Sequence, residues 1–82
     1  MKATVLIRPK EGILDPQGEA VVEALQHLGF AVSGARVGRL VDVQVDTDDP
    51  EEARAALDRM SHELLANPLI ESFTIELGDR DE

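Results

Sequence analysis

Eighty-two residues without a single cysteine make one small domain, and the missing thiols exclude disulfides, thiolate metal sites and cysteine nucleophiles together. Seventeen acidic residues against eight basic ones give a formal net charge of −9. That balance argues against a nucleic-acid partner, which needs a basic surface to displace counterions, and two phenylalanines offer no platform for stacking bases.

No apolar run approaches the ~18 residues of a membrane span, and "MKATVLIRPKEG" is charged too soon for a signal peptide. The expectation is a soluble, cytoplasmic protein with no membrane contact. In chain order, "ATVLIR" (3–8) is β-branched and apolar and predicts a strand with Ala3, Val5 and Ile7 toward the core. Asp15-Pro16 then heads an amphipathic helix: Asp15 caps, Pro16 takes the first helical position, and Val21, Val22, Leu25 and Leu28 form the stripe. Gly29 suits the position just past the helix, with Phe30 folding back on Leu25.

"AVSGARVG" predicts a weak strand in which Gly34 and Gly38 mark a bulge or tight bend. "LVDVQVD" alternates cleanly, with Val41, Val43 and Val45 inward. A second Asp-Pro pair, Asp49-Pro50, opens the next helix, where Glu52 completes a capping-box pattern. Its predicted stripe is Ala53, Leu57, Met60 and Leu64, and Asn67-Pro68 stops it. "LIESFTIEL" (69–77) closes the fold with Phe73, Ile75 and Leu77 on one face. The order β-α-β-β-α-β predicts an α+β, ferredoxin-like split βαβ domain over 1–78. It implies a four-stranded antiparallel sheet with two helices on one face, and 79–82 form a short acidic tail.

Few residues offer chemistry. His27 and His62 sit on different helices with no spacing that would make them converge on a metal. The acidic run Asp46–Glu52 lacks the spacing and glycine of an EF-hand, and helix capping accounts for Asp49 and Glu52. The serines lack a G-x-S-x-G elbow, and neither a Walker loop nor G-x-G-x-x-G is present. Asp15 at a helix N-terminus has its pKa pushed down, the wrong direction for a base at neutral pH. "RVGR" places Arg36 and Arg39 beside a glycine, suited to a carboxylate or phosphate, or equally to the chain's own acids. On its residues the chain is a binding or scaffolding module with no catalytic, cofactor-binding or metal-binding residue.

"KEGILDPQGEAV", "LGF" at the end of the first helix, "RVGR" before the acidic valine strand and "LLANPLIE" resemble, in that order, the PurS family. Its members are the small subunit of phosphoribosylformylglycinamidine synthase in purine biosynthesis. The likeness runs over residues 2 to 77. It implies a non-catalytic subunit partnered by a glutaminase subunit and a large synthetase subunit. The enzyme turns formylglycinamide ribonucleotide, ATP and glutamine into formylglycinamidine ribonucleotide, ADP, phosphate and glutamate. ATP and Mg²⁺ belong on the large subunit, and the resemblance implies a homodimer or tetramer formed through the sheets. The matching motifs make Asp15, Gln17, Gly18, Arg36, Arg39 and Asn67 the candidate partner-interface residues. The competing class is an ACT-like regulatory module, which has the same layout and binds a small effector between subunits.

Overall fold

The computed structural model describes residues 1–78; the acidic tail expected at 79–82 lies outside them. The elements are β1 (Lys2–Pro9), α1 (Pro16–His27), β2 (Arg39–Gln44), α2 (Pro50–Met60) running into a π-helical turn (Ser61–Leu65), and β3 (Glu71–Leu77). β1 is central, with β2 and β3 antiparallel on either side of it.

Period-2 alternation decides the sheet. Ala3, Val5 and Ile7 of β1 are almost wholly buried, and Val41, Val43, Phe73, Ile75 and Leu77 pack around them on the same face. α2 covers this face with Ala53 and Leu57. The opposite face carries Arg8, Asp42, Gln44, Ser72, Thr74 and Glu76, all exposed. On that face Thr4 is buried on the central strand between Asp42 and Glu76, and its hydroxyl is satisfied by donating to Asp42 Oδ1 at 2.7 Å.

The four-stranded expectation is not met: among the described residues the sheet has three strands. Residues 31–38 do not fold back into a hairpin with 39–44. A tight hairpin turn needs left-handed glycine backbone, but neither Gly34 nor Gly38 has a positive φ. The chain therefore enters β2 without reversing. Gly38 serves another end, since a Cβ there would strike the Ile7 main chain.

The pair of helices on one face is also corrected. α1 lies off the sheet, and its single buried residue is Gly18. Residues 31–38 run antiparallel to α1 and form an arm with it. Gln26 Nε2 donates to Val32 O at 3.0 Å, and the Val37 N–H donates to Asp15 Oδ2 at 2.8 Å. From Asp15 to Gln26 a helix rises about 16 Å, and from Val37 back to Val32 an extended chain covers about the same 16 Å. The molecule measures 48 × 30 × 13 Å, with a radius of gyration of 15.7 Å against about 12 Å for a compact chain of this length.

The helix ends follow the sequence closely. Asp15 caps α1 through Gly18 N–H (3.0 Å), with Pro16 at the first position. The Phe30 N–H to Leu25 O and Gly29 N–H to Gln26 O bonds, both 3.0 Å, close α1 as a Schellman motif around Gly29 at φ 93°. Phe30 itself remains exposed.

Asp49 caps α2 through Glu51 N–H at 3.0 Å, while its own N–H donates to Thr47 Oγ1 at 3.2 Å. The reciprocal half of the expected capping box is thus taken by Thr47 rather than Glu52. Beyond Met60 the helix widens: Ala66 N–H reaches back five residues to Ser61 O at 2.9 Å, and the buried Ser61 hydroxyl donates to Leu57 O at 2.8 Å. One extra residue in the turn shifts the phase of the stripe. Leu64, expected inside, is 83% exposed, while Leu65 and Ala66 turn to the core.

Candidate functional site

Three segments far apart in sequence meet at the end of β1 that carries Pro9 and Lys10. The first is "LDPQG". Asp15 accepts from Gly18 N–H with one carboxylate oxygen and from Val37 N–H with the other, so it ties the start of α1 to the returning chain. These two bonds, Val37 first, with the Arg36 charge nearby, hold the carboxyl below its ordinary value against an opposing desolvation. Asp15 is a structural carboxylate, in the direction its position predicts. Gly18 lies against the Ala35 carbonyl, and a Cβ there would collide with it. The close backbone approach expected at this glycine is made by the chain's own arm.

The second segment is "RVGR". The Arg36 guanidinium donates to Pro9 O. Arg39 forms a two-pronged pair with Glu71, Nη1 to Oε2 at 2.6 Å and Nη2 to Oε1 at 3.0 Å, and also donates to Leu65 O at 2.5 Å. The third is "LLANPLIE". Asn67 N–H donates to Glu71 Oε1 and Glu71 N–H donates to Asn67 O, both at 2.7 Å. The Asn67 side chain caps the turn through Leu69 N–H at 3.1 Å. Lys10 locks this turn to β1, its Nζ on Pro68 O at 2.7 Å and its N–H on Ile70 O at 2.9 Å. Arg39 first, then the Asn67 main chain, hold Glu71 below the ordinary glutamate value.

The candidate residues thus divide. Asp15, Gly18 and Arg36 form one knot, and Arg39 and Asn67 form a second through Glu71, which sequence reasoning left out. The signal was available: "RVGR" and "LLANPLIE" each offer one half of a bidentate ion pair. Gln17 belongs to neither knot and stands exposed on the first turn of α1. Between the knots an open groove of about 530 Å³ is lined by Leu6, Arg8, Arg36, Arg39 and Leu40. It gathers three guanidiniums in a chain of net charge −9. His27 and His62 do not converge; His62 lies 3.8 Å from Asp58 and edge-on to Phe73. Among the described residues no cluster of three His, Asp or Glu could hold a metal. No helix among them is long and apolar enough to cross a membrane.

A small α+β domain whose charged motifs fasten its own segments around an open groove belongs to the class of interaction subunits. Comparison makes the assignment specific. The chain belongs to the PurS family, whose profile, phosphoribosylformylglycinamidine (FGAM) synthase, matches residues 2–79. It is 34% identical to the FGAM synthase subunit PurS of Methanocaldococcus jannaschii, covering 93% of each chain. It is 39% identical to that of Mycobacterium leprae, covering 90% of this chain and 91% of the relative. The fold superimposes on the crystal structure of the M. jannaschii subunit with a TM-score of 0.83, at 32% identity and 98% of both chains. It matches a chain of PurLQS from Thermotoga maritima with a TM-score of 0.84, at 25% identity, over 92% of this chain and 93% of that one. The chain is a PurS subunit of FGAM synthase, an enzyme of purine biosynthesis.

Proposed function

We propose that this chain bridges a glutaminase subunit and an ATP-dependent synthetase subunit and helps ammonia pass between their active sites. The overall reaction is ATP, formylglycinamide ribonucleotide and glutamine to formylglycinamidine ribonucleotide, ADP, phosphate and glutamate. The observation that carries this reading is the meeting of the three family motifs at one end of the sheet. They fix the arm to the sheet and leave Gln17 and the arginine-lined groove facing outward. ATP and Mg²⁺ belong to the synthetase subunit in this scheme, the chain itself holds no cofactor, and the assembly works in the cytoplasm. A T. maritima relative occurring within PurLQS supports the subunit arrangement. The ACT-like alternative has no observation in its favour beyond the shared α+β layout.

Reconstitution tests the scheme. The chain alone should consume neither glutamine nor ATP, and adding it to the two larger subunits should raise glutamine-dependent amidine formation. Turnover by the purified chain alone, or a two-subunit mixture unaffected by its addition, would overturn the reading.

A further inference from the structure

Large apolar side chains that the fold leaves in water gather at the end of the sheet where β1 runs out. Ile13 is 40%, Leu14 70%, Leu69 82% and Ile70 44% exposed. Lys10 joins the two loops that carry them. Its N–H donates to Ile70 O at 2.9 Å, its Nζ to Pro68 O at 2.7 Å, and its carbonyl accepts from Ile13 N–H at 3.2 Å. Both loops are fixed from within. Asn67 Oδ1 accepts from Leu69 N–H at 3.1 Å, and the Asn67 carbonyl accepts from the Ile70 and Glu71 N–H groups. Gly12 turns the other loop at φ 83°, and the Asp15 cap ends it. The polar groups of "ILDP" and "ANPLI" are thus spent on holding the fold, while the apolar ones are held outward. Exposed apolar surface on a preordered loop marks a contact, because the ordering cost of binding has already been met.

Charge says what can approach. Four of the eight basic residues, Arg8, Lys10, Arg36 and Arg39, lie at this end. Of the acids there, Asp15 and Glu71 are tied into the two knots, Glu63 lies 3.7 Å from Arg59, and Glu11 is exposed. The acidic run Asp46–Glu52 begins at the opposite end of β1, where Val45 N–H donates to Met1 O at 2.8 Å. From Lys2 to Pro9 a strand spans about 23 Å, more than two Debye lengths at physiological salt. The field at the apolar end is therefore set by its own cations and not by the net charge of −9. We propose that Leu14 and Leu69 anchor the chain to one of the two larger subunits by entering an apolar hollow rimmed with carboxylates. A cationic rim around an apolar tip complements such a hollow, and the acid-rich remainder of the chain repels it. The proposal rests on the bridging reading and names the surface that forms one side of the bridge.

The test is binding of the full chain to each purified larger subunit, measured separately, with Leu14→Ser, Leu69→Ser and the double substitution. Each single substitution should weaken binding to the same one subunit about tenfold, and the double about a hundredfold, with binding to the other subunit unchanged. The melting temperature should stay within about a degree, since both side chains are exposed, and the sedimentation mass of the chain alone should not change. Raising salt from about 50 to about 500 mM should slow association of the unmodified chain several-fold, and that of Arg8→Gln by less. Should serine disturb the Asn67 turn, Leu69→Gln, of similar length, replaces it. Undiminished binding of the double variant to both subunits overturns the proposal and leaves the bridging reading standing. A fall in the sedimentation mass of the double variant also overturns it, and assigns the tip to contacts between copies. Failure of the unmodified chain to bind either larger subunit overturns the proposal and the bridging reading together.

Discussion

The two Asp-Pro helices begin in the same way and end in different surroundings. α2 lays Ala53 and Leu57 on the sheet at 0% exposure, while α1 buries no apolar side chain and stands off the sheet against its own extended return. The cap and the first proline set where each helix starts, and they do so equally well in both copies. The segment leaving each helix sets where that helix packs. After α2 the π turn and the Asn67–Glu71 turn bring the chain straight into β3, beside β1. After α1 the chain runs outward along the arm before it reaches β2. A capped amphipathic helix therefore specifies a local structure and an apolar stripe, and the partner of that stripe depends on the connection.

Substitutions that weigh the two regions against each other should differ most in the core. Leu57→Ala removes a fully buried side chain and should cost about 2–5 kcal/mol in urea unfolding. Leu64→Ala, on the exposed side of the widened turn, should stay within about 0.5 kcal/mol. Equal losses at the two positions would mean that the helix continues in α-helical phase. In the arm, Gly18→Ala sets a Cβ against the Ala35 carbonyl, a main-chain atom with little room to yield. It should cost about 1–3 kcal/mol and loosen residues 31–38, read by denaturation together with hydrogen exchange. Asp49→Ala removes a cap from the packed helix and should cost about 1 kcal/mol by the same measurement, with little effect on activity of the assembled enzyme.

Acid separates the knots. Asp15 and Glu71 both have folded pKa values below their ordinary values of 3.8 and 4.5. Each therefore contributes stability that is complete above its ordinary value and disappears as pH falls through the lower folded one. Asp15→Asn and Glu71→Gln should each flatten the acid limb of a stability–pH curve, leaving its shape above pH 5 unchanged. A limb unaltered in both variants would show that neither carboxylate is engaged in solution. The smallest effect on stability belongs to Gln17→Ala, which should leave the melting temperature within about a degree, as surface substitutions away from special features do, yet weaken stimulation of the larger subunits. The paired Arg36→Ala, Arg39→Ala substitution is a poorer probe than the sequence suggests. Arg39 holds Glu71 and the Leu65 carbonyl, so its loss mixes folding with assembly.

By itself the sequence determined the elements that local chemistry controls. Asp15-Pro16 and Asp49-Pro50 start helices because a side-chain oxygen and a missing N–H suit helix N-termini in any context. Gly29 ends one because it alone tolerates the left-handed backbone there. Alternation places Val5, Val43 and Ile75 on one face whatever pairs beside them. The motifs sufficed for the family, since LDPQG, RVGR and LLANPLIE in order carry more information than any composition. Only the tertiary structure decided the rest. Whether 31–38 turns back on 39–44 depends on a few degrees of freedom at Gly34 and Gly38, residues whose backbone serves a bend or a straight run alike. Whether Leu64 or Leu65 faces the core depends on a single wide turn around Ser61, which shifts the stripe by one residue without leaving a mark in the hydrophobic pattern. The role of Arg39 depends on Glu71, 32 residues away, and ion pairs between distant segments form only after the sheet has set their distance.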